Sequence, residues 1–111
     1  MTNKKKQYLE ETYPQQCNEY RKIVEDAYQL FLDKGREYSP NNIKAIGILG
    51  CFFRLFEKVI RSLNILGWDA FEGKPKDSVK GVKFDGVEQE AQDILNIAII
   101  IVIMLRKKWG K

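Results

Sequence analysis

The stretch ILNIAIIIVIML, residues 94–105, is apolar on every side of a helix except at Asn96. At about 1.5 Å per residue it reaches roughly 18 Å, against a bilayer hydrocarbon core of about 30 Å, so it is too short to span a membrane. A helix this apolar needs protein on all its faces, as the central helix of a bundle or the seam of an oligomer. Immediately before it stand Glu88, Glu90 and Asp93, which bring acidic groups to the edge of a dry core.

Working outward, Asp85 followed by Glu88 has the spacing of a capping box, and Gly110 is a stop signal. The last helix is therefore expected over about 86–108. Upstream, periodicity vanishes from Gly67 to Gly86, a stretch that also holds Gly73, Pro75 and Gly81. Loops of this length are uncommon in compact domains and are usually functional or disordered. Within it, SVKGVKF at 78–84 alternates as a small hairpin about Gly81 would. Ser39 and Pro40 read as N-cap and first helical residue of a helix over about 40–65. Its stripe, Leu49, Phe52, Phe56, Val59, Leu63 and Leu66, is spaced 3-4-3-4-3 and suits knobs-into-holes packing. Gly47 and Gly50 in its first third permit either a close helix approach or a local break. Pro14 opens a first helix over about 14–34, with Cys17, Tyr20, Val24, Ala27, Tyr28 and Phe31 at steps of three or four and Gly35 closing it. Residues 1–11 read as a flexible tail and 12–111 as a single helical domain. The expected fold is all-α: three main helices in a bundle completed by homo-oligomerisation, a symmetric homodimer through 94–105.

Composition narrows the chemistry. The chain has 111 residues, 44% of them hydrophobic and 31% charged, with a formal net charge of +4. Its basic residues gather at Lys4–Lys6 and at Arg106, Lys107, Lys108 and Lys111, without the dense stripe that duplex nucleic acid demands. There is no histidine, which excludes Ser-His and Cys-His catalysis and imidazole-based zinc sites. Any hydrolysis would have to use carboxylates and a hard metal ion. Cys17 and Cys51 are far apart and no secretory signal precedes them, which fits reduced thiols in a cytoplasm.

Four charged residues, Arg54, Glu57, Lys58 and Arg61, lie along one border of the middle helix's stripe. Arg54, Lys58 and Arg61 suit phosphate oxygens, while Glu57 and Arg61 also have the spacing of an intrahelical ion pair. Glu90 and Asp93 are three apart, so they can share one divalent cation or simply favour the helix dipole. Asn96 within the apolar run needs a partner, either across a helix interface or on a ligand. Tyr38, Trp68 and Phe71 can stack on a base or fill core.

Three segments together, KGREYSPNNI at 34–43, RLFEKVIRSLNIL at 54–66 and DILNIAII at 93–100, resemble the nucleotide modification associated domain 1 family of phages and bacteria. The resemblance spans about residues 28–108. It implies family positions at Lys34, Glu37, Tyr38 and Asn42, at Arg54, Glu57, Lys58 and Arg61, and at Glu88, Asp93 and Asn96. The chain departs from the family pattern with Ser39 for Gly, Glu37 and Glu57 for Asp, Gln89 for an acid and Ile97 for Tyr. In layout the family is also similar to the MazG-like all-α NTP pyrophosphatases, which hold Mg²⁺ on paired acidic motifs. Here Glu90-x-x-Asp93 is present, but Arg54-x-x-Glu57 stands where two acids belong.

The first expectation is a cytoplasmic protein, in the host cytoplasm if phage-encoded, that binds and sequesters a nucleotide or nucleotide-derived signal, with an anti-defence role by analogy. Arg54, Lys58 and Arg61 would hold phosphate, Tyr38 and a loop aromatic such as Trp68 the base, and Asn42 or Asn96 an edge, without a cofactor, duplex nucleic acid or membrane. The alternative is a Mg²⁺-dependent nucleoside triphosphate pyrophosphohydrolase with Glu57, Glu90 and Asp93 as ligands and Glu88 as base. The third is a structural interaction module.

Overall fold

The computed structural model describes residues 3–35, 40–76 and 84–111; the side chains of 3–6, 40–42, 45, 84 and 85 lie outside that description. The protein is mostly helical, with a two-stranded ribbon: α1 (Asn3–Thr12), α2 (Pro14–Asp33), α3 (Pro40–Ile65), β1 (Trp68–Asp69), β2 (Lys74–Pro75) and α4 (Phe84–Leu105). No helix among the described residues is long and apolar enough to cross a membrane. Contacts fall into two compact units, Met1–Lys34 and Gly35–Lys111.

In the first unit, Asn3–Thr12 form helix α1, most of it within the 1–11 stretch read as a tail. The chain turns at Tyr13, where the φ of −130° leaves the helical region, and Pro14 starts α2 with its ring at a position that needs no N–H donor. Across the turn the Cys17 thiol meets the Leu9 carbonyl oxygen at 3.6 Å, and Arg21 pairs with Glu10 at 3.3 Å. That exposed ion pair adds well under about 1 kcal/mol. Lys34 caps α2, its backbone N–H donating to the Leu30 carbonyl.

The second unit is built on α3 and α4. Two contacts fix their direction: a Cβ at Gly86 would touch Ile65, while Lys58 reaches Glu90 and Asp93. Moving back along α3 moves forward along α4, so the helices are antiparallel. This register sets Arg54 and Leu55 level with Asn96, and Cys51 level with Ile100. Ile43, Cys51, Ile97, Ile100 and Ile101 are buried.

Here the structure corrects the sequence reading of α3. The stripe that turns inward is Cys51, Leu55, Lys58, Ser62 and Ile65, with Ser62 satisfied by donating to the Lys58 carbonyl at 2.9 Å. The stripe read as suited to knobs-into-holes packing is largely exposed: Leu49 is 70%, Phe52 51%, Phe56 60% and Leu66 47% accessible. Both stripes have the 4-3 spacing that packs a helix, so spacing alone could not choose between them. The 94–105 run divides in the same way. Ile97, Ile100 and Ile101 are buried, whereas Ile99, Val102 and Leu105 face outward.

Gly47 resolves as a local break. Its φ of 70° and ψ of −179° lie in a region open essentially to glycine alone, and the helix bends there. The ribbon after α3 turns through Ala70–Gly73. Asp69 nucleates it by accepting bonds at Oδ1 from the Phe71 and Glu72 N–H groups at 2.9 and 3.1 Å, and Trp68 pairs with Pro75. The hairpin expected at 78–84 falls almost wholly outside the described residues, as does the side chain of Asp85 in the capping box. Helix α4 ends at Leu105, earlier than the expected 108. The Lys107 N–H donates to Met104 and the Lys108 N–H to Ile103, with Lys107 at φ 58°. That pattern is a Schellman closure with lysine where glycine is usual.

Candidate functional site

The polar centre of the second unit lies on the α3–α4 contact. Lys58 comes from the inner stripe of α3, and Glu90 and Asp93 stand one turn apart on α4. The Lys58 ammonium donates to Asp93 Oδ2 at 3.1 Å and lies 3.4 Å from Glu90 Oε2. All three side chains are largely buried, at 25%, 17% and 13% exposure. The Glu90 contact is at the long edge of hydrogen bonding, and that oxygen has no better partner among the described residues. Burial works against the Lys58 charge, but the hydrogen bond to Asp93 and the charges of Asp93 and Glu90 outweigh it, so its pKa rises above the ordinary lysine value. One turn beyond Asp93, Asn96 is only 3% exposed, and its amide nitrogen has no partner among the described residues.

At 100° per residue, antiparallel register gives the helix pair two unlike faces. One carries Arg54 and Arg61 from α3 with Gln89, Gln92 and Asn96 from α4, and Lys58 and Asp93 form its floor. The other carries Phe52, Phe56, Val59 and Leu63 from α3 with Ile94, Ala98 and Val102 from α4. Arg54 and Arg61 are exposed on the polar face. Burial pushes the thiol of Cys51, one turn before Leu55, upward in pKa, with the Arg54 charge a smaller opposing pull.

The sequence-derived candidates separate on this frame. Arg54, Lys58, Arg61 and Asn96 come together on one face. Lys58, however, is already engaged by two carboxylates, so it is not a free phosphate ligand like the arginines. Glu57 is exposed, and no group of three metal-ligating side chains, Glu57 with Glu90 and Asp93 included, occurs among the described residues. The lysine ammonium stands between Glu90 and Asp93, where the alternative reading put a divalent ion. Glu88 is exposed on the far side of α4. Trp68 lies in β1, 39% exposed, and Phe71 at the ribbon's turn is 89% exposed. Lys34 belongs to the first unit; Glu37 and Tyr38, and the side chain of Asn42, lie outside the described residues. Gln92 was missed from sequence, and Gln89 was noted only as a departure from the family pattern. Their signal is their position, Gln92 one turn and Gln89 two turns before Asn96 on its flank of α4, legible once the register with α3 is known.

No protein-family model, curated protein or solved structure matches this chain.

Proposed function

We propose that the 35–111 unit binds a nucleotide or nucleotide-derived signal on the Arg54–Arg61–Asn96 face, sequesters it intact, and works as a homo-oligomer. The observation that carries this reading is Asn96. Its buried amide nitrogen has no partner among the described residues, a state that costs about 1–3 kcal/mol and that an acceptor on a base or sugar edge offsets. Exposed guanidinium groups at Arg54 and Arg61 flank the same face and offer planar, bidentate donors suited to phosphate. Lys58, Glu90 and Asp93 then form the floor, where the lysine is already engaged by two carboxylates, leaving the arginines as the anion-attracting groups. The resemblance to the nucleotide modification associated domain 1 family, with its phage and bacterial setting, points to the same ligand class.

Hydrolysis is the weaker reading. A divalent ion at Glu90 and Asp93 has to displace a hydrogen-bonded ammonium, and neither Glu57 nor Glu88 stands ready to complete its coordination or act as base.

The test is calorimetric titration of the full chain with mono-, tri- and cyclic nucleotides, with and without Mg²⁺, followed by chromatography of the recovered ligand. Saturable binding that ignores Mg²⁺ and returns intact nucleotide is expected. Binding of none of the panel, or release of monophosphate and pyrophosphate, contradicts the proposal.

A further inference from the structure

The apolar face of the α3–α4 pair lies apart from the proposed ligand face of Arg54, Arg61 and Asn96. It is unusually exposed for a helix pair. Phe52 is 51%, Phe56 60%, Leu49 70%, Leu66 47% and Val102 43% accessible, and Leu105 at the edge is 62% accessible. Together with Val59 and Leu63, the α3 members are spaced 3-4-3-4-3 and form a coiled-coil type stripe without a partner helix among the described residues.

We infer that this face is the interface between two copies of the chain, α3 stripe against α3 stripe, giving a four-helix arrangement with two outward polar faces. Three features support a second copy as occupant. The stripe is its own complement: a 3-4 seam packs knobs into the holes of an identical seam, and a two-fold axis lets one patch serve both partners. The area also suits it. The exposed parts of these residues amount to about 600–800 Å² per copy, so two copies bury about 1,200–1,600 Å², the range of a stable specific interface. Finally, no charged side chain interrupts the stripe from Leu49 to Leu66, so nothing on it has to be desolvated unpaired when copies meet. The expected oligomer thus forms mainly through the α3 aromatics, while most of the 94–105 run serves the chain's own core.

Sedimentation equilibrium on the full chain tests this, with circular dichroism as the folding control. The parent is expected at twice its 13.0 kDa chain mass. Phe56→Glu is expected at the single-chain mass with its helical signal kept, because Phe56 makes little of the chain's own core. Val102→Lys on α4 is the second variant, should Phe56→Glu fail to fold. Arg61→Glu, on the opposite face, is expected to leave the dimer intact. Its nucleotide binding is measured separately, so loss of the ligand reading and loss of the interface reading are distinguishable. A parent that stays at 13.0 kDa at ~100 µM overturns the inference, whatever else covers the stripe. So does a folded Phe56→Glu or Val102→Lys protein that keeps the parent mass.

Discussion

Replacing Lys58 with methionine removes the ammonium that Glu90 Oε2 and Asp93 Oδ2 share. Breaking one partner of a largely buried ion cluster costs about 2–4 kcal/mol, and urea unfolding of Lys58→Met should show that loss. Adding Glu90→Gln and Asp93→Asn to the same chain should recover most of it, because no buried charge is then left alone. The pH dependence follows from the direction of the shifts. The folded-state pKa of Lys58 is raised, so its contribution is complete below the ordinary lysine value of about 10.4 and disappears as pH rises through the folded value. The raised Cys51 pKa acts in the same sense, favouring the neutral thiol in the folded state. Thermal unfolding between pH 8 and 12 should therefore show stability falling on the alkaline side, with the lysine part of that fall absent in Lys58→Met. Half-buried Cys17 should react with a thiol reagent well before Cys51, which is 2% exposed and should react only as the unit opens. The sequence supplied the right residues for this cluster but not its pairing. Arg54, Lys58 and Arg61 look alike as border cations, and only the register with α4 separates the lysine that meets two acids from the arginines that stay in solvent.

Helix limits are the most legible part of the chain, because they depend on local chemistry. Pro14, Pro40 and Gly35 mark real ends, and α2 and α3 lie within a residue of where those signals place them. What periodicity leaves open is which side of α3 is inside, since two stripes of the same spacing compete and the α4 surface selects between them. It also leaves open whether Gly47 allows close packing or a bend. With φ 70° and ψ −179°, the answer is a bend, and Gly47→Ala should destabilise the protein by about 1–3 kcal/mol although nothing lies within 4 Å of the added methyl. The end of α4 gives the opposite sign. Lys107 sits at φ 58° in the closure of the helix, so Lys107→Gly should stabilise by about 0.5–1 kcal/mol, read as a rise in Tm. A fall in Tm would show that the lysine side chain contributes more there than its backbone strain costs.

At the scale of the molecule, the second unit is a two-sided plate: polar on the side of Arg54, Arg61 and Asn96, aromatic and aliphatic on the side of Phe52 and Phe56. That division was invisible in the one-dimensional pattern, where the charged border and the apolar stripe read as neighbours around one buried seam. Within the apolar run at 94–105, Ile97, Ile100 and Ile101 are buried while Ile99, Val102 and Leu105 are exposed, and the periodicity of α3 did not signal that Phe52 and Phe56 would be exposed as well. The proposed nucleotide face and the proposed dimer face are physically separate, so each can fail alone. The central claim concerns the polar face. It is tested most directly by titrating parent and Arg54→Ala protein with the nucleotide that binds best, with and without EDTA. One charge-assisted phosphate contact is worth about 1.5–3 kcal/mol, so Kd should rise roughly ten- to a hundredfold in Arg54→Ala while EDTA changes neither value. Arg54→Ala protein that binds as tightly as the parent, with EDTA abolishing binding in both, contradicts it.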